Sequence, residues 1–173
     1  MEKLDVYDKK KQKTGKIISR DITSSLEDGE YFLYVKCCII NKDEKLLLTK
    51  RRLDKLRGGT WEITGGCVIS GETSIEGIAR ELKEERGLSV NKKELRLVRT
   101  VFENRKHRSC IRDIYVLEKD IKLEDLKFKD GEVIDAKFVS LEELVEMKKN
   151  KEIRAWINEI LEEYKKIINK KRG

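Results

Sequence analysis

The stretch that most limits what this chain can become is residues 66–88, G-C-V-I-S-G-E-T-S-I-E-G-I-A-R-E-L-K-E-E-R-G-L. Thr73 followed by Glu76 has the form of a capping box, which sets a helix start. Gly87 is placed to end the same helix. Between them Ile75, Ile78, Ala79 and Leu82 recur at helical spacing and make one apolar face. At about 100° per residue, Glu81, Glu84 and Glu85 project together to one side of that stripe. Gly77 lies one turn before Glu81 on the same side. There it removes bulk beside the carboxylates, at about 1 kcal/mol of helix propensity against Ala.

Three carboxylates on one face repel each other, and Glu81 meets Glu85 at the i+4 spacing where a lysine would normally stand. A bound hard cation explains such a cluster most economically, and oxygen ligands suit Mg²⁺ or Mn²⁺. Taken alone, an ordinary acidic face in a charge-rich chain explains E-x-x-E-E better. The segment before the helix reverses that weighing. Thr64-Gly65-Gly66 reads as the end of a strand entering a tight loop, where paired glycines let a backbone carbonyl approach a ligand or metal.

The whole stretch follows, without a substitution, the pattern G-x5-E-x7-R-E-U-x-E-E-x-G-U, with U aliphatic. That is the Nudix box, and the sequence resembles a Nudix hydrolase. The resemblance implies an α/β fold, an α/β/α sandwich around a mixed sheet. It implies that Glu81, Glu84 and Glu85 ligate divalent metal, Mg²⁺ or Mn²⁺, with a carbonyl of Gly65 or Gly66 as a further ligand. Glu72 and Arg80 would orient those carboxylates by ion pairing. The implied reaction is attack of water on a phosphorus of a nucleoside diphosphate linked to another group. Metal charge serves it by neutralising the diphosphate and lowering the pKa of the water. Glu84 and Glu85 are the catalytic candidates. Glu132, in a loop where some Nudix hydrolases place a base or extra ligand, is a third.

Composition sets the frame. The chain has 173 residues, 38% hydrophobic and 42% charged, with a formal net charge of +7. This suits one folded domain, since the apolar residues fall in periodic blocks. No apolar run reaches transmembrane length and the N-terminus lacks an apolar signal core, so the expectation is a cytoplasmic protein with no membrane partner. The excess of lysine and arginine reads first as a solvated surface, and second as attraction for polyanions, RNA ends included. Cys37, Cys38, Cys67 and Cys110 form no C-x-x-C pair and stand apart from the single histidine, His107. They read as buried thiols rather than as a zinc site or a disulfide framework.

Residues 1–30 read as an N-terminal hairpin extension, and residues 31–173 as the Nudix domain with its C-terminal helix. In the extension, residues 4–7 and 16–18 predict two short strands around a lysine-rich turn closed by Thr14-Gly15. That opening is similar to the hairpin of the Nudix branch that includes isopentenyl-diphosphate isomerases and related hydrolases. Residues 31–40 predict a strand covered on both faces, and residues 45–50 its return after a turn. A basic loop follows, with Arg51, Arg52 and Arg57 as a candidate phosphate-binding lip or, equally, an exposed turn. Residues 95–102 and 110–117 predict paired strands. Asp113 and Glu118 reach the site only if their face is right, and His107 reads as an exposed loop residue. Residues 136–139 predict a strand and residues 141–147 a helix capped by Ser140 with Glu143. Residues 153–168 form a long amphipathic helix. Its apolar face reads first as core of this chain and second as the face of a homodimer. Residues 169–173 read as a frayed basic tail.

Three kinds of function stay open. The first is a metal-dependent pyrophosphohydrolase of a small-molecule diphosphate, a nucleoside di- or triphosphate or the like. An isopentenyl-diphosphate isomerase is the second, disfavoured because its cysteine motif has no match after Trp61. The third is a nucleotide-sensing, non-catalytic Nudix-like domain, disfavoured because no box glutamate is lost.

Overall fold

The computed structural model describes residues 2–21, 26–55, 58–128, 131–153 and 157–173. Its hub is strand β3 (Tyr31–Ile40), formed by the nearly continuous apolar run Y-F-L-Y-V-K-C-C-I-I. Such a run suits a strand buried on both faces. Along one edge β3 lies parallel to β8 (Cys110–Glu118), in register from Phe32↔Cys110 to Ile40↔Glu118. The other edge is shared in succession. β1 (Lys3–Tyr7) takes its start, β6 (Thr64–Cys67) its middle, and β4 (Leu46–Arg51) its last residue through Ile40↔Leu46. β2 (Lys13–Ser19) lies outside β1, and β7 (Leu95–Glu103) outside β8. β5 (Trp61–Glu62) and β9 (Val133–Val139) flank β4, so the return strand pairs with them far more than with β3.

The sheet is mixed and lies between helices. On one face Leu33, Val35, Cys37 and Ile39 meet Ile78 and Leu82 of α1 (Ser74–Arg86). On the other, Cys38, Ile40, Leu46 and Leu48 meet Leu144 of α2 (Leu141–Lys149) and Ile157, Ile160 and Tyr164 of α3 (Ile157–Arg172). Alternation along β3 thus sends successive side chains into separate helical layers. The expected α/β sandwich is what forms. All four cysteines are free and buried. Among the described residues no helix is long and apolar enough to cross a membrane.

Four local expectations are corrected. Thr14 and Gly15 belong to β2, and the turn falls earlier, where the Asp8 carboxylate accepts the amides of Lys10 and Gln12. Ile153 is not helical but bridges to Trp61, while Trp156 lies outside the described residues. The tail does not fray at Asn169: α3 runs to Arg172. Ile167 and Ile168 remain buried there, and Lys171 reaches Glu118 at 2.7 Å. β9 starts at Val133, three residues before the predicted strand, because β4 extends to pair Arg51 with Val133.

Candidate active site

The site is built where β6, paired along the middle of β3, faces the last turns of α1. The glycine pair, expected where a strand ends and a tight loop begins, lies in the closing residues of this strand, with Gly65 opposite Lys36 and Gly66 opposite Val35 of β3. Packing explains why neither position carries a side chain. On Gly66 it would collide with the Glu81 carboxylate, and on Gly65 with the Val35 carbonyl and the Lys36 stem. The loop proper is residues 68–73, which leads to the N-cap Thr73.

The sequence signals for α1 are met at both ends. The Thr73 hydroxyl accepts from the Glu76 amide, and the Glu76 carboxylate accepts from the Thr73 amide at 2.9 Å. Gly87 closes the helix at φ 69°. Gly77 differs from expectation. It makes room for Val68 and Glu72, not for the three glutamates further along.

Arg80 is the organising side chain. Its Nε and Nη2 donate to the two oxygens of Glu72 at 2.8 and 3.1 Å. Its Nη1 donates to Glu81 at 2.8 Å and Glu84 at 3.3 Å, and its Nη2 also donates to the Cys67 carbonyl at 2.9 Å. One planar guanidinium therefore joins loop, strand and helix, which its fork of five donors allows. Glu81 is buried behind Gly66, and burial raises its carboxyl above the ordinary value. Glu84 stands at the rim, its side chain 53% exposed.

Glu85 faces the Gly65 amide, which donates to its Oε2 at 3.3 Å, and Arg86, whose Nη2 is 3.6 Å away. These long contacts do not offset desolvation, which pushes its carboxyl up to about 7. Arg86 is itself buried. Its Nη1 donates to the Glu85 carbonyl at 3.0 Å and its Nη2 to the Thr49 hydroxyl at 2.8 Å. Burial also pulls Lys36, across the strand from Gly65, down to about 8. The Tyr34 hydroxyl donates to the Gly65 carbonyl at 3.2 Å.

The structure thus brings Glu72, Arg80, Glu81, Glu84 and Glu85 together around Gly65 and Gly66. Among the described residues, no three acidic, thiol or imidazole side chains converge into a finished cage, and Glu84 is turned toward Arg80. The donors on offer are hard oxygens, and burial raises two of the carboxyls, Glu81 and Glu85, above the ordinary value. That chemistry fits a hard divalent cation.

Of the remaining candidates, Arg51 pairs with Glu62 at 3.1 Å on the Arg86 side of the site. The Arg52 side chain turns to Asp54 at 2.9 Å. Arg57 lies outside the described residues. Glu132 precedes β9, where its carbonyl accepts the Arg52 amide at 2.9 Å, and its charge acts on Arg86. Asp113 and Glu118 do not reach the site: Asp113 is enclosed near the start of α1, and Glu118 pairs with Arg96 and Lys171. His107 is exposed at the β7–β8 hairpin tip.

Sequence reasoning missed Arg86, Lys36 and Tyr34. A signal existed for Arg86, which continues the Ile78–Leu82 stripe by one more step of four. None existed for Lys36 and Tyr34, whose facing follows from strand register alone.

With this geometry in view, comparison with known proteins is informative. Residues 30–164 match the family model of the NUDIX domain. An uncharacterized Nudix hydrolase of Listeria monocytogenes is 34% identical over 146 residues, covering 83% of each chain. The ADP-ribose pyrophosphatase of Methanocaldococcus jannaschii is 39% identical over a shorter stretch of 79 residues, 43% of this chain and 46% of that one. Among solved structures, DR0079 of Deinococcus radiodurans superposes with a TM-score of 0.73 at 19% identity, covering 94% of this chain and 98% of the other. At that identity the likeness speaks for the fold alone.

Proposed function

This chain belongs to the NUDIX family and is a hydrolase acting on phosphoric anhydride bonds, and from that premise we propose that it is a divalent-metal-dependent pyrophosphohydrolase of a small nucleoside diphosphate derivative. A nucleoside di- or triphosphate or a compound of the ADP-ribose type is the substrate class we favour, the latter because of what the Methanocaldococcus relative is named for.

The observation that carries the reading is the pairing of Glu81 and Glu85 with a strand from which side chains are excluded. Gly66 leaves the space that the Glu81 carboxylate fills, and Glu85 lies against the Gly65 amide. In our reading Glu81, Glu84 and Glu85, with a carbonyl of Gly65 or Gly66, hold Mg²⁺ or Mn²⁺. The ion would neutralise the diphosphate and polarise the phosphorus under attack.

The chain's own groups do the rest. Arg80, fixed by Glu72 and the Cys67 carbonyl, holds Glu81 in place and keeps Glu84 at the rim, from which it can turn inward. Glu85 is our first choice to accept the proton of the attacking water. Burial pushes its carboxyl up to about 7 without metal; a bound cation would draw it back toward the ordinary carboxylate range and leave it ionised, able to accept a proton at neutral pH. Glu132, on the Arg86 side, is the alternative base. Arg51 and Arg86 supply positive charge on that side for a diphosphate. Residues 1–30 we read as an extension of the catalytic domain. The isomerase reading gains nothing: Cys67 is buried, and burial pushes its thiol up to about 11, far from a reactive thiolate.

The test is release of phosphate, pyrophosphate or nucleoside monophosphate from a panel of nucleoside di- and triphosphates, ADP-ribose, nucleotide sugars and dinucleoside polyphosphates with Mg²⁺. Turnover of one class, lost in Glu85→Gln, supports the proposal. Turnover of capped or triphosphorylated RNA alone would replace the substrate class, and undiminished turnover in both Glu84→Gln and Glu85→Gln would overturn the assigned roles.

A further inference from the structure

The N-terminal hairpin does more than lengthen the sheet. β1 and β2 form a hairpin whose first strand reaches the segment that introduces α1 directly, and whose turn reaches the helix start through Asp113. The Lys3 carbonyl accepts the Ser70 amide at 2.7 Å. The Asp5 carboxylate accepts the Ser70 hydroxyl at 2.7 Å and the Gly71 amide at 3.1 Å, and it is paired with Lys13 at 2.6 Å. Gly71 has a φ of 92°, a conformation that a side chain resists, so the Asp5 bond falls on the residue where the loop turns.

A second tie runs from the turn. Lys11 Nζ reaches both oxygens of Asp113 at 2.7 and 2.6 Å, and Asp113 also accepts from Ser74, the first residue of α1, at 2.5 Å. Asp5 is 9% exposed and Asp113 fully buried, so both ties are sheltered from competing water.

What this segment carries gives the ties their meaning. Glu72 directly follows Gly71, and it grips Arg80 through both oxygens. Arg80 in turn holds Glu81 and Glu84. An unbroken chain of polar contacts therefore runs from the hairpin, through residues 70–72, to the carboxylates.

We propose that the β1–β2 hairpin is a positioning device for the metal-binding carboxylates, with Asp5 fixing the 68–73 loop and Lys11, through Asp113, fixing the first residue of α1, so that Glu72 and Arg80 hold Glu81 and Glu84 in working orientation. The proposal rests on the functional reading above. Asp5 and Lys11 touch neither substrate nor metal in it and act only through Glu72 and Arg80.

Three variants test it: Asp5→Ala, the gentler Ser70→Ala, and Asp5→Asn, which keeps one acceptor oxygen. Each is measured for Mn²⁺ affinity by electron paramagnetic resonance, for kcat and KM on the substrate found above, and for its circular dichroism and melting temperature. Removing the outer partner of a metal ligand commonly costs about 10-fold to 100-fold in metal affinity or activity. Acting at one further remove, Asp5→Ala is expected to weaken Mn²⁺ binding and lower kcat by about tenfold with KM nearly unchanged. Ser70→Ala should move both the same way by less, and Asp5→Asn should recover part of the loss. Folded Asp5→Ala and Ser70→Ala proteins with wild-type Mn²⁺ affinity and kcat would overturn the proposal and leave the hydrolase reading intact. If Asp5→Ala fails to fold, Ser70→Ala decides alone. A wild-type protein that neither binds Mn²⁺ nor turns over any substrate removes the hydrolase reading and the positioning role together.

Discussion

Two sheltered carboxylates mark the two ends of α1, and the protein treats them in opposite ways. Asp113 meets the first residue of the helix and is saturated with donors: the Lys11 ammonium, the Ser74 hydroxyl and the Thr100 hydroxyl all lie within 2.7 Å of its oxygens. Glu85, in the last turn, has one amide at 3.3 Å and a guanidinium at 3.6 Å. The first is a structural acid, with its charge compensated inside the fold. The second is kept short of partners in a largely dry place, which leaves its oxygens available to something the chain does not supply. Buried charge costs free energy unless paired and hydrogen-bonded, so the deficit at Glu85 is a cost that the role proposed for this carboxylate would explain.

The sharpest way to break this contrast is Glu85→Gln. The amide nearly keeps the shape and removes the charge. Turnover is expected to fall by at least about three orders of magnitude, roughly 4 kcal/mol of transition-state stabilisation. A fall of less than tenfold would mean that Glu85 is not part of the reacting assembly. Asp113→Ala should show the reverse pattern, damaging the fold first. It strands the Lys11 ammonium against a cavity, and breaking such a sheltered ion pair costs about 3–5 kcal/mol. Urea unfolding measures it, and a loss below about 1 kcal/mol would remove Asp113 from the structural class.

The third prediction follows from linkage. Burial raises the Glu85 carboxyl from its ordinary 4.5 to about 7. Below pH 4.5 Glu85 is protonated in both states and costs nothing. As pH rises through 7 the folded state must ionise a desolvated group, and that share of stability is lost. Metal-free Glu85→Gln protein should therefore be more stable than wild type at pH 8, by about 2 kcal/mol once screening at the mouth of the site is allowed for. The gain should shrink toward zero at pH 4.5. Mg²⁺ should raise the melting temperature of the wild type at pH 8 and that of the variant much less. Equal melting curves for the two proteins at pH 8 without metal would show that Glu85 carries no such burden.

How much of this was legible in the sequence follows from the range of the signals. α1 was readable from Thr73 to Gly87 because caps and helical period are local, and the three glutamates came with it. β3 was readable because a run of ten residues broken only by Lys36 is otherwise apolar and admits few alternatives. The place of Gly65 and Gly66 at the end of a strand was readable as well, but its reason was not. Only the approach of Glu81 and Lys36 from other elements shows that both positions are cleared for packing. The Asp113 network was equally hidden, since it joins residues 11, 74, 100 and 113 from four segments. Side-chain direction on β8 depends on register with β3, which a one-residue slip would invert. The end of α3 was misjudged for the opposite reason: its lysines suggested fraying, while the burial of Ile167 and Ile168 decided the matter.

The smallest predicted effect tests whether Asp113 is supplied in excess. Ser74→Ala removes one of three donor groups and leaves the Lys11 and Thr100 contacts in place. It also takes from the Tyr115 hydroxyl its acceptor at 2.9 Å. A neutral hydrogen bond is worth about 1 kcal/mol net, and one to a charged group about 1.5–3 kcal/mol when nothing replaces it. If the remaining donors cover Asp113, the cost should stay near 1 kcal/mol by urea unfolding. A cost near that of Asp113→Ala would mean instead that the hydroxyl is indispensable. The acid at the start of α1 would then be as finely provisioned as the one at its end, and the contrast between them would be one of partner strength rather than partner number.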